Sequence, residues 1–440
     1  MTPEFKRALG LRDLVLFNIA AVIGIRWLAA AAHAGPGSLT LWVLAAALFF
    51  VPSALAVATL GERYPDQGGL YVWTRRAFGP WHGFLCGWCY WLSNLFYLPN
   101  LILAGLAMSA YALGLAEDST PLLPASLAVL WIALIANLVG LGVGKWIGSL
   151  GAAATYVAGG LLLVLGAWAW RLHGSATPLD LAPGFNLDKL NFWSQIAFAF
   201  GGLELGAVMA GEIRDPRRTV PRAAWISGAA IAAFYILGTL AMLVLRTPDR
   251  ISPLTGLVEV GADAGVRLGL AWAAPVLALA IALNVTGQLG AWIGAVARVP
   301  FAIGLDRYLP AAFARLHPRY GTPHVALLVL GAVATAFVLT MQAGETLRVA
   351  YQLLVDLTVM VYFIPFLYLF AAAWREGRWF SGACGTAVTV AAIVLSLIPP
   401  GGAASVWLFE LKLVGGCLLL VAAARLCFKR SAAIREPAAP

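Results

Sequence analysis

Arg26 and Glu204 stand deep inside long apolar runs, the first directly after Ile23-Gly24-Ile25 and the second at the end of Phe198-Ala199-Phe200-Gly201-Gly202-Leu203-Glu204. A guanidinium at mid-bilayer depth costs ~2.5–3.5 kcal/mol on insertion scales, so such a group faces a polar cavity or a buried partner. Glu204 is the natural partner of Arg26. In one reading the two neutralise each other and hold two interrupted helices together. In the other, one or both meet a charged substrate or a proton in transit. Asn94, Asn284, Thr286, Gln288 and Asp356 are further polar residues inside apolar runs; they either line a pathway or make ordinary interhelical hydrogen bonds. Glu410 and Lys412 lie nearer a segment end, where snorkelling suffices.

The elements that must position these groups are transmembrane helices. The chain is 61% hydrophobic and 11% charged, far from the soluble norm of roughly a quarter charged. Windows of about nineteen residues give about twelve candidate helices, centred on residues 13–34, 39–60, 83–113, 123–141, 146–170, 191–212, 222–245, 270–300, 323–341, 347–373, 381–398 and 405–427. Segment one is interrupted near Gly24, and segment six, five helices later, at Gly201-Gly202. Interruptions in matching places of two halves point to the substrate site of a transporter built from inverted repeats. Non-helical backbone at that depth is tolerable only where it is buried or lines a cavity. The expected architecture is all-α and polytopic, a single domain over 1–440 with an inverted five-helix repeat: repeat one over about 13–170, repeat two over about 191–373, and two extra helices over about 381–427.

The net charge of +9 is sorted by loop rather than gathered in one patch, which argues for topology and against nucleic acid. Lys6, Arg7 and Arg12 precede segment one, Arg63, Arg75 and Arg76 follow segment two, and Lys145 opens segment five. Arg214, Arg217, Arg218 and Arg222 follow segment six, while Arg298, Arg307, Arg315 and Arg319 follow segment eight. Arg375 and Arg378 follow segment ten, and Arg425, Lys429, Arg430 and Arg435 form the tail. The alternate loops are poorer in Lys and Arg, so both termini are expected in the cytoplasm of a multi-pass protein of the plasma (cell inner) membrane. The basic start before an apolar run ending in Ala32-His33-Ala34 resembles a secretory signal, but the run is too long and carries the Gly24–Arg26 interruption. Cys86-x-x-Cys89 reads as small apolar packing rather than redox chemistry. The sequence holds no HExxH, paired histidines, nucleophile elbow or phosphate-binding glycine loop, so no catalytic residue, metal or cofactor is expected.

Three stretches carry a family resemblance over nearly the whole chain. The first is Gly68-Gly69-Leu70-Tyr71 through Gly79-Pro80, and the second runs from Phe198 through Glu212-Ile213-Arg214-Asp215-Pro216 to Pro221. The third is Gly290-Ala291-Trp292 through Arg298-Val299-Pro300 and Leu305-Asp306-Arg307-Tyr308-Leu309-Pro310 to Gly321-Thr322-Pro323. Together they resemble the amino acid-polyamine-organocation permeases of the leucine-transporter fold. The resemblance implies a secondary active transporter that binds an amino acid, polyamine or related small organic amine or acid between helices one, three, six, eight and ten, then alternates access. A substrate/product exchanger of the same fold and a membrane sensor that binds without transport remain the alternatives. Phe198 matches the aromatic residue that caps substrate, and Trp292 one that contacts the substrate side chain in the arginine/agmatine exchanger branch. The chain departs from the family at Gly24-Ile25-Arg26, where many members have Gly-Ser-Gly or a similar small triplet whose amides bind the substrate carboxylate. Arg26 would clasp that carboxylate with its forked donors, or repel a cationic substrate. The mid-helix lysine of some proton-coupled relatives is replaced by Ala158. The candidate substrate site is therefore Ile23, Gly24, Ile25, Arg26, Asn94, Phe198, Phe200, Gly201, Gly202, Glu204 and Trp292, with protons as the candidate coupling ion and the lipid bilayer as the surrounding partner.

Overall fold

The computed structural model describes residues 7–112, 122–182, 195–253, 255–341, 347–397 and 406–435. Lys6 and the Glu117–Pro121 and Pro399–Ala404 loops, used above for topology, lie outside the described residues.

The first span is two helices, α1 (Leu11–Val22) and α2 (Arg26–Ala34), bent by 47° at the Gly24 interruption. Asp13 accepts the Gly10 amide at 2.9 Å and closes the start of α1. The second span is α3 (Gly37–Ala45), a wide π turn over Ala46–Phe50, and α4 (Val51–Arg63). Pro52 brings no backbone donor there, and the Ser53 hydroxyl donates to Phe49 O at 2.7 Å. Short α5 (Leu70–Phe78) precedes α6 (Pro80–Ala112), α7 (Leu122–Val139) and α8 (Leu141–His173). The sixth span is broken, with α9 over residues 195–199 and α10 over Glu204–Val208. Then come α11 (Pro216–Leu245), the short α12 (Gly256–Leu268), and α13 (Ala273–Val296) continued by α14 (Arg298–Leu305) as one span. The chain ends in α15 (His324–Met341), α16 (Leu347–Arg375), α17 (Trp379–Ser396) and α18 (Val406–Arg435).

Among the described residues six stretches are long and apolar enough to cross a bilayer by themselves, and α1 with α2 makes a seventh. The shorter apolar α7 and α15, the long α6 and α18, and the broken sixth span bring the architecture to the twelve expected from the sequence. The protein is an all-α, multi-pass integral membrane protein. Its outer surface is apolar, with Leu419, Trp407, Leu418 and Leu279 exposed as lipid demands.

The site is framed by α13 packed along α8 and by α16 packed along α6. At the α8–α13 crossing a Cβ on Gly151 would lie 2.5 Å from Gly287 Cα, so only glycine lets the backbones meet. The three resemblance stretches converge on one face of the membrane domain. The Gly68 amide donates to Val208 O at 3.1 Å. Gly69 sits at φ +46°, where a Cβ would press to 3.0 Å on the Val208 amide nitrogen, which explains the glycine pair. Tyr71 and Arg75 both donate to the Asp306 carboxylate. Beside them Glu212 and Arg298, each 2% exposed or less, form a buried ion pair at 2.8 Å. The Glu212 carbonyl accepts the Ala8 and Leu9 amides at 2.9 and 3.0 Å, which ties the N-terminal segment under the broken sixth span. Cys86 and Cys89 are buried as free thiols.

Candidate functional site

Interrupting α1 at mid-depth strands backbone groups, and the neighbouring spans supply partners for them. Ala21 O accepts from Trp292 Nε1 at 2.8 Å and from Gln288 Nε2 at 3.4 Å. Asn284 Nδ2 reaches Ile23 O at 3.4 Å and donates to Thr155 Oγ1 at 2.6 Å. The Tyr235 hydroxyl of α11 accepts the Gly24 amide at 3.1 Å and lies 2.8 Å from Val22 O and 3.0 Å from Ala199 O. One phenol thus bridges both breaks. In the sixth span Gly202 takes φ +118°, and a Cβ there would meet Val22 Cγ2 at 3.0 Å. The two breaks touch, and the contact requires glycine.

Each charge stands two residues beyond its glycine, as Gly24-Ile25-Arg26 and Gly202-Leu203-Glu204. Arg26 opens α2 and is 4% exposed. Its guanidinium lies over the Trp27 ring at 4.7 Å and the Tyr97 ring at 5.3 Å. Glu204 opens α10 and is 1% exposed. Its Oε1 accepts from the Tyr90 hydroxyl at 2.8 Å and the Tyr362 hydroxyl at 2.6 Å, and its Oε2 from the Gly202 amide at 3.0 Å. The expected Arg26–Glu204 pair is not among the ion pairs formed by the described residues. The reason is directional. Five helices apart, the two segments run in opposite senses, so α2 and α10 leave their breaks toward opposite faces and carry their charges apart.

Between the charges lies a closed ring of aromatic side chains. Phe198 meets Tyr362 at 5.0 Å and Tyr97 at 5.8 Å between centroids. Trp292 meets Tyr97 at 4.7 Å and Tyr362 at 6.2 Å. The structure therefore gathers Ile23, Gly24, Ile25, Arg26, Phe198, Gly201, Gly202, Glu204 and Trp292 around one point. Gly201 touches it directly, since a Cβ there would clash with Tyr362 Oη at 2.6 Å. Phe200 points elsewhere, into Trp42, Phe50 and Tyr235 at 5.3, 4.7 and 5.4 Å, and is a packing residue. Asn94 is buried on α6 between Tyr90 and Tyr97; its Nδ2 donates to Tyr90 O at 2.7 Å, and its Oδ1 meets no partner among the described residues. Thr286 donates to Ala282 O within its own helix. A small cavity of about 40 Å³ lies between α1, α8 and α13, lined by Asp13, Phe17, Ser149, Met209, Gly290 and Gly294.

Tyr90, Tyr97, Tyr235 and Tyr362 are not apparent from the sequence, where tyrosines in apolar runs read as interfacial belts. The 4 and 3 spacing of Tyr90, Asn94 and Tyr97 on one helical face is the one signal that points to the first two. Among the described residues no group of His, Cys, Asp and Glu is arranged to hold a metal ion.

Comparison with known proteins agrees with this fold. The chain is 30% identical to an uncharacterized transporter of Legionella pneumophila, over 94% of this chain and 95% of that protein. It is 25% identical to the probable agmatine/putrescine antiporter AguD of Lactococcus lactis, over 76% and 72% of the two chains. It is likewise 25% identical to the serine/threonine exchanger SteT of Bacillus subtilis, over 82% and 83%. The crystal structure of MhsT in complex with L-phenylalanine superposes with a TM-score of 0.61 at 15% identity, over 89% of this chain and 99% of that one, and thereby shares the leucine-transporter fold. The amino acid permease profile matches residues 9–404: the chain belongs to the amino acid permease family and is a transporter of amino acids or amines.

Proposed function

We propose that the chain carries a carboxylate-bearing amino acid or closely related compound across the cell inner membrane by alternating access, with both termini in the cytoplasm. The substrate sits where the two breaks meet, against Phe198 and Trp292, with its carboxylate on the Arg26 guanidinium. The observation that carries this reading is a buried arginine opening α2 at the helix interruption, a place where a bidentate donor fork suits a carboxylate. A dication such as an extended diamine would meet like charge there. At the other side of the aromatic ring the Tyr90–Glu204–Tyr362 cluster closes the way to the basic face, and Glu204 is the group on which a coupling proton would ride. Exchange is the favoured mode, since both AguD and SteT carry the names of an antiporter and an exchanger.

Purified protein in liposomes tests this. Labelled amino acid should enter faster when the vesicles are preloaded with unlabelled substrate. Arg26→Ala should abolish uptake while folded yield persists, because loss of a buried charged partner costs about 2–5 kcal/mol. Arg26→Lys should restore uptake only in part, since a point charge lacks the fork. Full transport by Arg26→Ala combined with Glu204→Gln would overturn the carboxylate role.

A further inference from the structure

We propose that Gln288 is the acceptor for the substrate's ammonium group, so that the site selects α-amino acids over 2-hydroxy acids of the same shape. This rests on the reading above that the substrate carboxylate meets Arg26 at break one.

The backbone carbonyls of that break each already accept a hydrogen bond. Ala21, Val22 and Ile23 carbonyls already accept from Trp292, Gln288, Tyr235 and Asn284. Gly24 O accepts the Trp27 amide at 2.9 Å and Ile25 O the Leu28 amide at 3.1 Å. In the sixth span Ala199 O is reached by Tyr235. The formal charge at break one is positive, so an ammonium there gains most from a nearby acceptor that no donor among the described residues engages. Gln288 provides it. The side chain is 1% exposed. Its Nε2 lies 3.4 Å from Ala21 O and 3.5 Å from the position a Gly24 Cβ would take, which pins the amide at the break. Its Oε1 is buried and meets no hydrogen-bond donor among the described residues. A buried carbonyl that no protein donor among the described residues engages is a favourable place for a donor on a bound molecule. One turn along the same face of α13 stands Trp292, so a substrate on the indole has its head group beside Gln288. Asn94 Oδ1 likewise meets no donor among the described residues, but its amide is tied to its own helix at Tyr90 O rather than to either break.

The test uses matched probes in proteoliposomes: L-alanine, L-serine and L-threonine, each against the acid carrying a hydroxyl in place of its amine. Wild type should prefer the amino member of the best pair by about 10- to 100-fold, the range of a hydrogen bond to a charged group. Gln288→Leu should erase most of that preference by lowering amino-acid flux far more than hydroxy-acid flux, since a hydroxyl makes only the weaker neutral hydrogen bond to the same acceptor, at a melting temperature near wild type. Gln288→Glu keeps the acceptor and adds charge, so it should retain amino-acid flux and widen the preference over the hydroxy acid. An unchanged preference in Gln288→Leu, or a parallel fall of both fluxes at wild-type folded yield, overturns the assignment. Should Gln288→Leu fail to fold, an amino preference in Gln288→Glu no greater than wild type overturns it. Wild type handling both members equally removes Gln288 alone. Wild type handling neither member of any pair removes the carboxylate reading and this proposal with it.

Discussion

Replacing Tyr235 by Phe removes one oxygen and keeps the ring, so it isolates the hydroxyl that joins the two breaks. The ring has its own reasons to stay in place. It stacks on Trp42 at 4.4 Å with 3° between planes and meets Phe200 edge-on at 5.4 Å. The hydroxyl has three backbone neighbours, Gly24 N, Val22 O and Ala199 O, at 3.1, 2.8 and 3.0 Å. It owns a single proton, so at any moment it accepts one bond and donates one, the donated bond being shared between two carbonyls. Hydrogen bonds inside membrane proteins average about 0.6 and reach about 1.7 kcal/mol each, which puts the loss of two at about 1–3 kcal/mol. The loss falls on the contact between the interrupted spans, so Tyr235→Phe should lower the melting temperature in detergent and also weaken substrate binding. Thermal unfolding with and without substrate, and uptake in liposomes, measure the two effects. A variant as stable as wild type with unaltered uptake would refute the bridging role.

Glu212→Gln leaves the Arg298 guanidinium in a buried site without its carboxylate and should destabilise by about 3–5 kcal/mol; Glu212→Met with Arg298→Met should recover most of the melting temperature. Gly151→Leu forces apart α8 and α13, since the Cβ position is 2.5 Å from Gly287 Cα, and should abolish folded yield in a size-exclusion assay. Gly148→Leu, three residues earlier, is the control: among the described residues its Cβ position has nothing within 4 Å, and folding should persist. A reporter fused after Arg435 should signal cytoplasm; a periplasmic signal would reverse the orientation assigned from the basic loops.

The spans, both interruptions and both buried charges are legible in the sequence because they rest on local contrasts: a glycine within an apolar run, a charge where hydrocarbon surrounds it. The tyrosines are not legible, because a tyrosine in an apolar run satisfies two environments equally. Only the packing of α6, α11 and α16 around the breaks shows that Tyr90, Tyr235 and Tyr362 point their hydroxyls inward. Phe200 packs against Trp42, Phe50 and Tyr235 rather than the aromatic ring for a related reason: the turn between α9 and α10 sends it and Phe198 to opposite sides, and no helical periodicity applies across a break.

Arg26 and Glu204 are expected to pair because each charge is costly alone at that depth, and the inverted arrangement of the two breaks explains why no ion pair joins them among the described residues. A twofold axis in the membrane plane maps the residue after one break onto the residue after the other while reversing the direction of the chain. Corresponding positions beyond the breaks are therefore carried toward opposite faces. Helix α6 supplies a ruler for the result. Arg26 lies over Tyr97 and Glu204 binds Tyr90, seven residues apart and so about 10 Å along the helix axis. As it stands, the carboxylate is held by phenols and a backbone amide, the guanidinium by aromatic faces, and the aromatic ring lies between them. In the proposed mechanism the guanidinium end reads a substrate carboxylate while the glutamate end, two helical turns away along α6, gates its release.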